Sequence, residues 1–164
     1  MRIKCRDLVK KIAIYKDRLA VQLPDRIIVY TVDTEKDEYD MRYKAHKKVL
    51  KKAECSSLIV TQESLVLCKE KKIELVSFTG ETEREWTMDS FIRYIKIIGG
   101  PRGCEGLVVG LKNGQVYKIF ITNSFPVLLI SQDTPIRCLD LSATKKQLAV
   151  VDENSNLFVY DLAT

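Results

Sequence analysis

The chain has 164 residues, 46% of them hydrophobic, and its 27 basic and 22 acidic side chains give a formal net charge of +5. This composition supplies enough apolar side chains for a core and excludes an intrinsically disordered chain. The apolar runs, such as Val127–Ile130, are far shorter than the roughly 20 residues that cross a bilayer. Basic residues close behind Met1 exclude the apolar region of a signal peptide. We therefore expect a chain that is neither secreted nor inserted in a membrane.

The five cysteines are widely spaced and include no C-x-x-C pair. A disulfide framework favours an even count in a small secreted domain, and a zinc site favours closely spaced pairs. We expect no metal, no cofactor and a reducing cytoplasmic compartment.

Positive charge is concentrated in the first part of the chain, since residues 1–72 carry 18 basic and 11 acidic side chains. The densest basic stretch contains Lys44, Lys47, Lys48, Lys51 and Lys52. It could contact nucleic acid or an anionic membrane, or it could be a solvated connection. Aromatic residues are not interleaved with these lysines, so we expect no nucleic-acid partner and favour an acidic protein partner.

In chain order, short apolar runs begin at Ile12, Leu19 and Ile27, and they recur 46 positions later without a gap, at Leu58, Leu65 and Ile73. A third set consists of Ile92–Ile98, Leu107–Leu111 and Val116–Phe120, and a fourth of Ile136–Leu141, Leu148–Val151 and Leu157–Leu162. The runs are rich in Val, Ile, Leu and Tyr and are separated by turn-forming residues. One unit of three strands is therefore used four times.

A weaker fourth run follows in three of the units, around Tyr39–Tyr43, Arg84–Met88 and Pro126–Ile130. Between the first two units, Lys47–Lys52 is compatible with one helical turn, although Val49 and Leu50 also suit the first strand of the second unit. Asn113-Gly114 predicts a hairpin with a type I′ turn, which needs positive φ angles.

Antiparallel strands that repeat every 40–46 residues are typical of β-propeller blades. We predict an all-β fold, a WD-type β-propeller of about four blades at residues 1–47, 48–91, 92–134 and 135–164. The last unit ends after its third strand. A small ring could close if Ile3–Cys5 supplied the missing strand, but we favour an open arc of a larger propeller, with uncovered faces on its end blades. A β-sandwich is the alternative fold.

Leu148–Asp161 resembles a WD repeat, with Tyr160-Asp161 in place of the Trp-Asp pair. The Gly-His dipeptide is missing from every unit, so the hydrogen-bonded Asp-His-Ser/Thr-Trp network of that family cannot be placed. A closer resemblance is to the WD-repeat subunit of intraflagellar transport complex A, specifically the second of its two tandem propellers. Four segments carry it: Leu8–Pro24, Ile92–Pro101, Glu105–Val116 and Leu148–Tyr160.

This resemblance extends over essentially the whole chain and implies a fragment of a longer subunit that continues into a helical solenoid. It implies a non-catalytic scaffold for retrograde ciliary transport and cilium assembly, located in the cytoplasm and the cilium, at the ciliary base and axoneme. The implied partners are the other complex A subunits, with a tubby-like adaptor and ciliary membrane cargo reached indirectly. A vesicle-coat or ubiquitin-ligase adaptor of the WD-repeat class is the alternative.

Candidate catalytic residues are few. Gly99–Gly103 is glycine-rich but is followed by a strand and lacks the lysine of a phosphate loop, so we expect a connection between strands. His46 is the only histidine and lies in the lysine-rich stretch, where we expect an exposed linker residue. Asp140, Asp152 and Glu153 could form an acid–base pair, but carboxylates at a hairpin turn are usually solvated. A propeller hydrolase is therefore the weaker rival.

Protein-binding residues are predicted from residue type and position. Aromatic and arginine side chains on rim loops are typical interface anchors, which selects Arg42, Tyr43 and Arg102. Trp86, on a predicted outer strand, would either be an exposed anchor or cover the neighbouring blade.

Overall fold

The computed structural model describes residues 2–33, 42–49 and 52–162, with the backbone alone for Asp33 and for residues 42–49. These residues form fifteen β-strands in four sheets, and no helix. In each sheet the strands are hydrogen-bonded in sequence order. Within the described ranges, no helix is long and apolar enough to span a bilayer.

The first two sheets consist of β1 (Lys11–Tyr15), β2 (Arg18–Gln22), β3 (Ile27–Asp33) and β4 (Arg42–Val49), then β5 (Ser57–Val60), β6 (Ser64–Lys69), β7 (Lys72–Ser77) and β8 (Thr82–Thr87). The third consists of β9 (Ile92–Gly99), β10 (Gly106–Leu111), β11 (Gln115–Phe120) and β12 (Val127–Ser131), and the fourth of β13 (Ile136–Leu141), β14 (Gln147–Asp152) and β15 (Leu157–Asp161). The prediction of an all-β chain is confirmed.

The second strand of each sheet carries the most buried side chains. Every residue of β10 is buried, and so are five of the six residues of β6. Strands that are covered on both faces lose the alternation of apolar and polar residues, which explains the unbroken apolar runs at Leu65 and Leu107.

The chain divides into two compact units, Met1–Cys68 with Glu74–Glu85, and Lys69–Ile73 with Trp86–Thr164. In the first unit, alternate side chains of the first two sheets meet in one core, formed by Ala20, Ile27, Val29, Leu58, Val60, Leu65, Leu67, Val76 and Phe78. Each of the larger aliphatic side chains contributes about 1.5–3 kcal/mol to stability by its burial.

A buried arginine connects the two sheets of this first unit. The Arg18 Nε–H donates to the backbone oxygen of Gln62, in the turn between β5 and β6, at 3.2 Å. Its Nη1 donates to Thr31 Oγ1 and to Asp17 Oδ2, each at 2.6 Å. The guanidinium is therefore paired and hydrogen-bonded where it leaves water, as a buried charge requires.

In the second unit, the core between the third and fourth sheets contains Val108, Val116, Ile136, Leu139, Leu148 and Val150. Strand β10 approaches β13 closely at Gly110, where an added Cβ would lie 2.6 Å from Ile136 Cγ2. Glycine is needed here because the two sheets pack with no space for a side chain.

The basic stretch after residue 41 is a strand up to Val49, so the alternative of a connection between strands is wrong for this part. Val49 is paired with Ile27, and Lys47 with Val29, in the first sheet. Val49 therefore belongs to the first sheet and not to the second sequence repeat. His46 lies at a bulge in β4. A strand at the edge of a sheet tolerates many lysines because one of its edges is unpaired. The lysine-rich composition alone therefore suggested a connection between strands.

The turn at Asn113-Gly114 also differs from its prediction. The Gly114 N–H donates to the Leu111 oxygen at 3.1 Å, and Gly114 has φ = 86° whereas Asn113 is not in the positive-φ region. The connection is thus a three-residue loop that ends in a left-handed glycine, not a type I′ turn. The Gln132 N–H donates to the Gly114 oxygen at 2.9 Å, which joins this loop to the end of β12.

The fourth sheet contains three strands in the described part of the chain. Residues Ile3–Cys5 are not in a strand, so the alternative in which they complete this sheet is not found. Exposed apolar side chains occur on β1, at Ile12 and Ile14, and separately on β15, at Leu157 and Val159.

Candidate protein-interaction site

The loop between β11 and β12 is fixed by backbone hydrogen bonds and by one buried indole. The Ile121 N–H donates to the Glu105 oxygen at 3.1 Å, and the Asn123 N–H donates to the Phe120 oxygen at 2.8 Å. The Trp86 Nε1–H donates to the Asn123 oxygen at 3.0 Å, and Trp86 is only 3% exposed. Three hydrogen bonds therefore connect this loop to Trp86, to Glu105 and to the end of β11.

The loop and the strand ends on either side of it present apolar side chains to solvent. Phe125 is 77% exposed, and its N–H donates to Asn123 Oδ1 at 3.4 Å, in a local turn typical of asparagine. Phe120 is exposed at the end of β11, and Val127 and Leu128 are each 48% exposed at the start of β12. We name Phe120, Phe125, Val127 and Leu128 the third-sheet rim. These side chains lie at one end of the third sheet, and exposed apolar side chains in such a place are typical of a protein-binding surface.

Positive charge lies beside this rim. The Lys118 ammonium is 4.7 Å from the centroid of the Phe120 ring, within cation–π range. Lys118 is paired with Val127 across the β11–β12 ladder, so the two side chains share one face of the sheet. A partner that covers the rim therefore meets apolar surface with one cation at its margin.

Arg102 lies at the same end of the third sheet. It is exposed in the loop that joins β9 to β10, and Gly106, the first residue of β10, is paired with Phe120. The prediction that Gly99–Gly103 connects two strands is confirmed. The loops that bear Arg102 and Phe125 thus emerge from one end of one sheet.

The other predicted anchors have different positions. Trp86 is 3% exposed, so of its two alternatives the exposed anchor is wrong, and its indole N–H donates to the Asn123 oxygen. Arg42 and Tyr43 begin β4 and are not on a loop, and their side chains lie outside the described residues. The apolar residues of the rim were missed, although the uncharged segment Phe125–Ile130 was visible in the sequence.

Carboxylates near the fourth sheet have structural partners. Asp152, 1% exposed, accepts hydrogen bonds from Thr134 Oγ1 at 2.7 Å and from the Asn156 N–H at 2.8 Å. The Thr134 hydroxyl is the main cause that lowers the pKa of Asp152. The expectation of a solvated turn is therefore wrong for Asp152, which fastens its turn to the segment before β13.

Asp140 has a pKa lowered by its hydrogen bond from Lys96, which joins β13 to β9. Such paired and ionised groups are poor candidates for proton transfer near neutral pH. Across the described ranges, no three His, Cys, Asp or Glu residues are grouped as metal ligands would be.

Solved structures share this fold. One is titled BBS1N in complex with ARL6DN, with a TM-score of 0.70 at 15% identity over 98% of this chain and 52% of that chain. The computationally designed Ika4 protein has a TM-score of 0.62 at 12% identity over 98% of this chain and 94% of the other. At such identities the likeness concerns the fold alone. Repeated antiparallel sheets with these neighbours define a β-propeller protein.

The family follows from the sequence comparisons. The family model of the IFT122 second beta-propeller matches residues 1–164, and the chain belongs to this family. The intraflagellar transport protein 122 homologs of Mus musculus and Danio rerio are 56% and 52% identical to it over 164 residues. The chain spans only 14% of the length of each of these relatives.

Proposed function

We propose that this chain is part of a non-catalytic scaffold subunit of intraflagellar transport complex A, acting in retrograde ciliary transport and cilium assembly. The observation that carries the proposal is the family match over residues 1–164, together with curated relatives named as intraflagellar transport proteins at 52–56% identity. The third-sheet rim supports a binding role, because it offers exposed apolar side chains at one end of the sheet, on the ends of β11 and β12 and on the loop between them.

The partners in this proposal are the other complex A subunits, and a tubby-like adaptor and ciliary membrane cargo are reached indirectly. The protein would be located in the cytoplasm and the cilium, at the ciliary base and along the axoneme. Arg102 joins the third-sheet rim as a candidate anchor, and Arg42 and Tyr43 stay candidates on the first sheet. Trp86 acts indirectly, by positioning the loop that carries Phe125.

We propose further that the four sheets are blades of a larger propeller. In support, the chain aligns with about half of a propeller-like chain, since it covers 52% of the BBS1N chain. Exposed apolar side chains on β1 and on β15 also fit end blades that neighbouring blades would cover.

Co-purification tests the proposed function. The tagged chain is expressed in ciliated cells, and the proteins that remain bound after washing are identified. We expect the complex A subunits in stoichiometric amounts, because a scaffold subunit stays with its complex. Recovery of vesicle-coat or ubiquitin-ligase components in their place would contradict the proposal and support the alternative adaptor class.

A further inference from the structure

The outer edge of β12 lacks the charged side chains found on β4 and β8. Strand β12 has β11 on one side, and no described strand is paired with its other side. Residues 121–132 include no charged side chain, whereas β4 contains four basic residues and β8 contains Glu83, Arg84 and Glu85. Charged residues on an edge strand oppose pairing with another chain. Strand β12 lacks this protection, so its free backbone groups can accept a further strand.

Side chains next to this edge are apolar on both faces of the sheet. Val127 is paired with Lys118 and Leu128 with Tyr117, and adjacent residues of a strand point to opposite faces. Val127 and Leu128 are each 48% exposed, so both faces offer apolar area to an added strand. Leu129 and Ile130 pack against the core of the second unit, which fixes the position of the edge.

We propose that the β12 edge binds an extended segment of a complex A subunit as an added antiparallel strand. The segment would have two adjacent apolar side chains, one on each face of the sheet beside Val127 and Leu128, and an acidic residue within reach of the Lys118 ammonium. Such a segment would complement an edge strand that is uncharged and has the Lys118 cation beside it. Nucleic acid and anionic membranes are disfavoured as occupants, because they are attracted by a dense positive charge that β12 does not carry. The inference rests on the proposed function, because the partner is taken from the same complex.

Hydrogen exchange of the backbone amides tests the added strand. Exchange in peptides that cover residues 126–132 is compared between the chain alone, at two concentrations tenfold apart, and the chain assembled with the complex A subunits. We expect exchange in this segment to slow at least tenfold in the assembly only, because an added strand hydrogen-bonds the outward N–H groups. Peptides from β8, which has a charged outer edge, provide the internal reference and should not slow.

Charge placed on the edge is the second arm. Val127→Lys and Leu128→Lys should each weaken binding to the assembled subunits at least tenfold, while Thr87→Lys, at an exposed position of β8, should change it less than twofold. Circular dichroism identifies any variant that fails to fold. For such a variant, the hydrogen-exchange experiment on the unsubstituted chain tests the added strand by itself.

The outcomes separate the two proposals. Assembly without slower exchange at residues 126–132 overturns the added strand and leaves the proposed function standing. Slower exchange on raising the concentration of the chain alone identifies a second copy as the occupant and also overturns the inference. Failure to assemble with complex A overturns both.

Discussion

Replacement of Trp86 by phenylalanine separates the structural role of this residue from a direct role in binding. The substitution keeps an aromatic ring in the site but removes the hydrogen bond to the Asn123 oxygen at 3.0 Å. Loss of that bond costs about 1 kcal/mol. The smaller ring in a site that is 3% exposed costs about 1 kcal/mol more. We expect the free energy of unfolding to fall by about 2 kcal/mol in total.

Urea denaturation followed by circular dichroism measures this change. For a chain of this length, about 2 kcal/mol corresponds to a decrease in Tm of roughly 4–8 °C. The matched control is Phe125→Ala, which removes a side chain that is 77% exposed. This substitution should change the free energy of unfolding by no more than about 0.5 kcal/mol. It should nevertheless weaken the binding of the chain to complex A subunits.

One pattern of results would refute this reasoning. If Trp86→Phe left the stability unchanged and weakened partner binding more than Phe125→Ala, Trp86 would be a direct anchor. The hydrogen bond to Asn123 would then contribute nothing to the position of the loop.

Three further predictions concern stability and reactivity. Gly114→Ala should lower the free energy of unfolding, measured by urea denaturation, by about 2–4 kcal/mol. A left-handed φ disfavours alanine, and the added Cβ would lie 2.1 Å from the Gln132 oxygen. A loss under about 0.5 kcal/mol would show that this turn does not require glycine. The pKa of Asp152 is lowered in the folded state, so the stabilising effect of this carboxylate is present above its unfolded pKa and is lost as the pH falls through its folded pKa. Asp152→Asn should therefore flatten the decline in stability below about pH 4. An unchanged dependence of stability on pH in this acid range would count against the prediction. Burial raises the pKa of the Cys68 thiol to about 12. Iodoacetamide should therefore modify exposed Cys104 first and Cys68 only after unfolding, which mass spectrometry would detect. Equal rates of modification of the two thiols in the folded chain would disprove the burial of Cys68.

The repeated strands could be predicted because each unit carries its own apolar pattern. The runs that begin at Leu19, Leu65, Leu107 and Leu148 all lie in second strands, and β2, β6 and β10 are buried on both faces. The boundary between the first two sheets could not be placed, because β4 is an edge strand whose lysines resemble a solvated linker. Pairing of Val49 with Ile27 is a long-range contact that local composition does not encode.

The candidate site was predicted less well than the fold. Residue type selected Arg102, which the structure places in an exposed loop, and also Trp86, which it buries. Whether an aromatic side chain points inward depends on what lies across from it, here the Asn123 carbonyl 37 positions away. The exposure of Phe125 likewise depends on a loop conformation that hydrogen bonds from other segments impose.

A density map of the chain bound in complex A, resolved well enough to trace strands, tests the central claim most directly. Our account predicts protein density from another subunit against Phe125 and a further strand paired with β12. A map in which the other subunits contact the chain elsewhere, while Phe125 and the outer edge of β12 face solvent, would contradict it.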